Sequence, residues 1–240
     1  IVGDAKLNLQ RWIEHLQSHG LKPTHGTSPW AQATQAKRAE WEAFKQVRYA
    51  CPPLYDTVWQ REVLTQPVAI KTVCDFADAN GALKIFDAGD VQANGFQIVA
   101  DEREGQTLTD TGSSYMGFAA SAVLVSAVID AYPIAFCGDG SFMMNPQILI
   151  DAVQHGARGC IVVFDNRRMA AISGLQQAQY GTDYKTSDTV TVDYAALANA
   201  IQGVQGLFGG YSVSDLNAAL AQAHAHHGLS LIHVPVYSGP

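Results

Sequence analysis

The chain has 240 residues, of which 48% are hydrophobic and only 15% charged, with a formal net charge of −7. That length suits one large domain, or a domain with an appendage, and supplies ample apolar material for a core. The acidic balance argues against a nucleic-acid surface. No apolar run reaches the roughly 20 residues that span a bilayer, so neither nucleic acid nor membrane is an expected partner, and a cytoplasmic location is the default expectation.

The first residues, Ile1-Val2-Gly3-Asp4, lack an initiator methionine and read as a strand end running into a helix, as in a polypeptide cut inside a larger architecture. Leu7, Leu9, Trp12, Ile13 and Leu16 give helical periodicity from Asp4, a suitable N-cap, to His19, with Gly20 as the stop. A loop with Pro23, Gly26 and Pro29 leads to a second amphipathic helix over about 31–48, which Cys51-Pro52-Pro53 ends. Residues 1–55 therefore read as a helical linker or the remnant of a preceding domain, and 56–240 as the main domain.

From about residue 56 the pattern becomes alternating helices and short apolar strands. Helices are expected near 67–79, from Met116 through about Ile129, and at about 146–155, 194–201 and 214–227. Strands are expected at 83–87, 134–137, 160–165, 206–211 and 230–236. Uninterrupted apolar strands separated by helices predict an α/β fold whose parallel sheet is covered by helices on both faces. Cys51, Cys74, Cys137 and Cys160 lack C-x-x-C spacing and read as reduced, mostly buried thiols.

In such sheets ligands bind beyond the carboxyl ends of the strands. Asp87-Ala88-Gly89-Asp90, Gly138-Asp139-Gly140-Ser141 and Asp165-Asn166 all fall at predicted strand ends, with Asn166 placed 27 residues after Asp139. A carboxylate, an amide and glycines at adjoining strand ends suit a cation–diphosphate site. Mg²⁺ takes about six oxygen ligands, few of them protein carboxylates, and glycines let backbone approach a phosphate. A helix following Ser141 would direct its free N–H groups at that phosphate. No G-x-G-x-x-G follows the first strand, which disfavours a plain dinucleotide site.

The Gly138-Asp139-Gly140 run in register with Asn166 resembles the thiamine-diphosphate enzymes of the acetolactate synthase and benzaldehyde lyase type. Gly138 through Asn145, Ile172-Ser173-Gly174-Leu175 and Lys37-Arg38-Ala39-Glu40-Trp41 are similar to the trihydroxycyclohexanedione hydrolase and cyclohexane-1,2-dione hydrolase branch. The resemblance implies the diphosphate-binding part of that fold, with thiamine diphosphate and Mg²⁺ as cofactors. It implies side-chain oxygens of Asp139 and Asn166, and the carbonyl of Arg168, as Mg²⁺ ligands. It further implies that Gly140, Ser141, Gly89 and Asp90 lie against the diphosphate. Met116 would prop the cofactor in a bent shape, and the Ser114 carbonyl would accept a hydrogen bond from the aminopyrimidine. Two positions depart from the family pattern: Arg168 stands where glycine is common, and Asp90 where a hydroxyl residue is common. A carboxylate at Asp90 repels diphosphate unless a cation or proton intervenes.

The implied activity is cleavage or formation of a C–C bond next to a ketone, in a 1,2-diketone or 2-oxo acid. Acetolactate-synthase-like carboligation, 2-oxo acid decarboxylation and a non-catalytic cofactor-binding subunit are the alternatives. The glutamate that activates the pyrimidine belongs, in this family, to a separate pyrimidine-binding domain that nothing in these residues resembles. A second polypeptide carrying that domain is therefore the expected partner, in an α2β2 or larger hetero-oligomer. Other features have plainer readings. Arg167 and Arg168 either grip an acidic substrate or are solvated. Met143 and Met144 either line a substrate pocket or fill space beneath the cofactor. His224, His226 and His227 fall in the last turn of a predicted helix, where they complement its dipole.

Overall fold

The computed structural model describes residues 2–22, 26 and 28–239. It divides into two compact units, Ile1–Val47 and Arg48–Pro240. The Arg48 guanidinium, at the start of the second unit, donates to Gln97 and Asn94.

The first unit is helical. Helix α1 (Ala5–Ser18) starts where Asp4 accepts a hydrogen bond from the Leu7 N–H at 2.8 Å, and ends before Gly20, whose φ is +64°. Helix α2 (Pro29–Tyr49) opens on the proline that sequence alone assigns to the loop; proline suits a first helical turn because its missing N–H has no intrahelical partner there. Neither helix has a buried residue. The strand end expected at the start has no counterpart over Val2–Asp4; Ile1, and Pro23 in the expected loop, lie outside the described residues.

The second unit begins with a small antiparallel pair, β1 (Leu54–Asp56) and β2 (Arg61–Val63). Helix α3 (Gln66–Ala79) and strand β3 (Leu83–Phe86) follow, then α4 (Asp90–Ile98), β4 (Thr107–Thr109) and α5 (Phe118–Ala122). Strand β5 (Pro133–Gly138) leads into the single-turn α6 (Asp139–Phe142), α7 (Ile148–Gln154) and β6 (Gly159–Asp165). The chain finishes with α8 (Ala170–Tyr180), α9 (Tyr194–Asn199), β7 (Val204–Phe208), α10 (Val213–Ala225) and β8 (Leu229–Pro235). Six strands form one sheet in the order β4-β3-β5-β6-β8-β7, with every pairing parallel.

Both faces of this sheet are covered, as the unbroken apolar strands require. Ile134 and Phe136 of β5 point into a layer shared with α3 and α10, while Ala135 and Cys137 point into the opposite layer with α5, α7 and α9. Each fully buried Ile, Val or Phe contributes about 1.5–3 kcal/mol, so these layers dominate the stability of the unit. All four cysteines are free thiols, and three are buried.

Three expectations change. The long buried helix from Met116 through Ile129 is instead α5 plus a 3-10 turn at Val123–Ala127, and Val128 and Ile129 are exposed. Small residues let this stretch pack tightly as two short pieces, so its apolar run does not need one continuous helix. The helix after Ser141 begins earlier, at Asp139, and lasts one turn. Helices α4 and α8 and strand β4 lie in stretches where no element was expected.

Candidate functional site

Strands β3, β5 and β6 are neighbours in the sheet, so their carboxyl ends place Asp87, Asp139 and Asn166 on one rim. The rim opens into a cavity of about 230 Å³, and all nine residues singled out from sequence line it: Gly89, Asp90, Ser114, Met116, Asp139, Gly140, Ser141, Asn166 and Arg168. Positions spread over 80 residues of chain are thus collected by strand order.

Asp139 is buried at the start of α6. Its Oδ1 accepts the Gly140 N–H at 2.8 Å and its Oδ2 accepts the Arg167 N–H at 2.8 Å. Asp165, also buried, accepts the same Arg167 N–H at 3.1 Å. Burial, and next the negative charge of Asp165, push the Asp139 carboxyl up to about 7. Two carboxylates this close are unfavourable together unless a cation or proton joins them. Asp165 in turn meets the buried ring of His233 on β8, with Nε2 at 2.8 Å from its Oδ2.

Asn166 Oδ1 accepts the Arg168 N–H at 3.0 Å. Arg168, which stands where glycine is common in the family, does not have a positive φ; Arg167 before it does (φ +55°). The Arg168 carbonyl accepts the Ala170 N–H at 2.8 Å, which leaves it a second lone pair. Both arginines are half-buried and make side-chain hydrogen bonds. Arg168 donates to Ser173 Oγ at 2.8 Å and Asp183 Oδ2 at 2.7 Å, and Arg167 donates to Thr191 Oγ1 at 3.1 Å.

The segment carrying Met116 is fixed by Asp87, a residue to which sequence assigned no role beyond its strand end. Its fully buried carboxylate accepts the N–H groups of Gly117 at 2.9 Å and Ala119 at 3.0 Å. Burial pushes the Asp87 carboxyl up, and these hydrogen bonds pull against that rise. Gly117 has φ +95°, and a Cβ there would meet the Met144 Cβ at 3.1 Å. Ser114 also has a left-handed backbone (φ +51°), uncommon outside glycine and frequent at functional sites. A Cβ on Gly140 would lie 3.3 Å from both the Met116 methyl and the Met169 sulfur, so these two methionines flank the glycine.

Met143 and Met144 are substantially exposed beside a second cavity that also touches Asp139. His224 stacks edge-on against Phe76 and Tyr132 instead of joining its neighbours. Among the described residues, no group of three or more His, Cys, Asp or Glu side chains could hold a metal. Any cation at Asp139 would therefore use amide, carbonyl and ligand oxygens as well.

Fold and rim define an α/β domain built to hold a ligand beyond the carboxyl ends of a parallel sheet. Residues 87–234 match the family described as thiamine pyrophosphate enzyme, C-terminal TPP binding domain, and the chain belongs to that family. Over 98% of its length it is 26% identical to a 3D-(3,5/4)-trihydroxycyclohexane-1,2-dione hydrolase of Bacillus velezensis, spanning 40% of that protein. Over 60% of its length it is 30% identical to the acetolactate synthase isozyme 2 large subunit of Escherichia coli, spanning 27% of it. The chain thus spans well under half of either relative. The crystal structure of benzoylformate decarboxylase from Polynucleobacter necessarius superposes with a TM-score of 0.63 at 16% identity, covering 72% of this chain and 33% of that one, and so shares its fold.

Proposed function

We propose that the chain is a subunit of a thiamine-diphosphate- and Mg²⁺-dependent enzyme that cleaves or forms a C–C bond next to a ketone, acting as a 1,2-diketone hydrolase. The observation that carries this reading is the rim itself. Asp139, raised by burial and next by its neighbour Asp165, is relieved by a cation, and Asn166 and the Arg168 carbonyl add neutral oxygens of the kind Mg²⁺ accepts. These donors fit the cation, and the glycine-flanked cavity fits a diphosphate.

The chemistry supplied by the bound cofactor is an electron sink beside the ketone carbonyl. The chain's own residues position it. Asp139, Asn166 and the Arg168 carbonyl would hold Mg²⁺, while Gly89, Asp90, Gly140 and Ser141 would lie along the diphosphate. Met116, held by Asp87 through Gly117, would support the bend, and the Ser114 carbonyl would accept the aminopyrimidine hydrogen bond. Cationic or acidic groups fit for proton transfer to the pyrimidine are not among the cavity residues other than Asp90, Asp139 and Arg168. We place the activating glutamate on a pyrimidine-binding domain outside these residues, carried by a second polypeptide in a hetero-oligomer. The name of the Bacillus velezensis relative favours a cyclic diketone as substrate; the similarity to the synthase subunit favours carboligation as the second reading.

Calorimetry is the direct test. The chain is expected to bind thiamine diphosphate in the presence of Mg²⁺, and to turn over a cyclic 1,2-diketone only when a pyrimidine-domain polypeptide is added. Turnover by the 240-residue chain alone would refute the second-polypeptide assignment. No binding, even with that polypeptide present, would favour a non-catalytic role.

A further inference from the structure

The first turn of α3 is left unsatisfied in a way that points to a ligand. Thr65 is the N-cap of this 14-residue helix, yet its side chain makes no capping bond, and its Oγ1 is buried without a partner. Gln66, the first helical residue, is only 9% exposed, and its side-chain amide has no hydrogen-bond partner among the described residues. The backbone N–H groups of Gln66 and Val68 also lack partners there, and Pro67 has none to offer. A buried hydroxyl left unpaired costs about 1–3 kcal/mol, so the Thr65 Oγ1, beside a Gln66 amide that faces the cavity, calls for a ligand partner at this helix start.

Their location says what kind. Gln66 lines the 230 Å³ cavity with Asp139, Gly140 and Asn166. With Thr65 and Pro67 it also lines an adjoining cavity of about 370 Å³, and Asp90, Asn166 and Arg168 belong to both. Helix N-termini bind anions through free N–H groups and the positive end of the dipole. The single-turn α6 offers little dipole of its own, and its Gly140 N–H is already given to Asp139.

We propose that the first turn of α3 is a second anion-binding pole of this site, in which Thr65 Oγ1, the Gln66 amide and the N–H groups of Gln66 and Val68 grip the phosphoryl end of the ligand. The inference rests on the cofactor reading above and adds residues to it. Asp90 lines the same cavities, and burial pushes its carboxyl up.

The test compares the full chain with the Thr65→Val/Gln66→Leu double variant, using thiamine diphosphate and inorganic pyrophosphate as separate probes, each with Mg²⁺. Removing unpaired polar atoms is expected to leave the ligand-free Tm unchanged or raise it. Affinity for both probes is expected to fall by about tenfold or more, and the ligand-induced rise in Tm to shrink with it. The near-isosteric Gln66→Glu, which places a carboxylate at the helix start, is expected to weaken pyrophosphate binding further. If thiamine diphosphate binds both proteins within about twofold (under 0.5 kcal/mol), the α3 pole is wrong and the cofactor reading stands. If pyrophosphate alone binds the wild type and is lost in the variant, the pole stands and the cofactor reading falls. Failure of the wild type to bind either probe overturns both.

Discussion

Asp139 concentrates the chemistry of the rim in one side chain, because it is buried, hydrogen-bonded to backbone and crowded by Asp165. A carboxyl whose folded pKa is raised favours the protonated native state. Its contribution is therefore fully present below the unfolded value of 3.8 and is lost as pH rises through about 7. Without Mg²⁺, thermal stability is expected to decline from about pH 4 to about pH 7 through this group, and Asp139→Asn is expected to flatten that part of a Tm-versus-pH profile. The same substitution should lower Mg²⁺-dependent affinity for thiamine diphosphate by at least about 100-fold, the upper end of what losing an outer-shell partner costs. Calorimetry on both proteins checks it. A variant that kept wild-type affinity would remove Asp139 from the cation.

At the scale of elements, the site depends on how closely α4 lies on β3. Gly95 of α4 faces Phe86, a fully buried ring stacked on Phe136 at 4.3 Å between centroids. A Cβ at position 95 would sit 2.3 Å from the Phe86 ring. Alanine gains about 1 kcal/mol in helix propensity over glycine, whereas overpacking a rigid core costs about 1–3 kcal/mol. Phe86 has nowhere to move, so the clash wins. Gly95→Ala is expected to lower Tm by several degrees and, because α4 begins at Asp90, to weaken cofactor binding as well; an unchanged Tm would show that α4 can slide. Asp87 acts at the same scale, tying the end of β3 to the start of α5 through two backbone N–H groups.

For the whole molecule, both apolar layers are built from residues at or beyond Cys51, while α1 and α2 bury none of theirs. A protein starting at Arg48 is therefore expected to unfold cooperatively with a Tm within about 2 °C of the full chain. A large loss on removing residues 2–47 would show that the second unit relies on the first. Trp12 and Ile13 of α1 and Trp41 and Phe44 of α2 are exposed.

Sequence by itself determined the sheet and most of its rim. Short β-branched runs such as Cys160-Ile161-Val162-Val163-Phe164, apolar on both faces, read as central parallel strands, and glycine with carboxylate or amide at their ends marks the ligand edge. It was blind to α4 and α8, whose helical periodicity is interrupted by Gly95 and Gly174, and it read Met116–Ile129 as one helix because apolar runs do not reveal where a helix breaks. Only the tertiary structure decided the second layer of the site. Asp87 reaches Gly117 across 30 residues, His233 reaches Asp165 across 68, and Gln66 joins the cavity from a helix before the first sheet strand. Such partners are set by strand order and by which buried polar groups are left to satisfy, and neither leaves a local pattern in the chain.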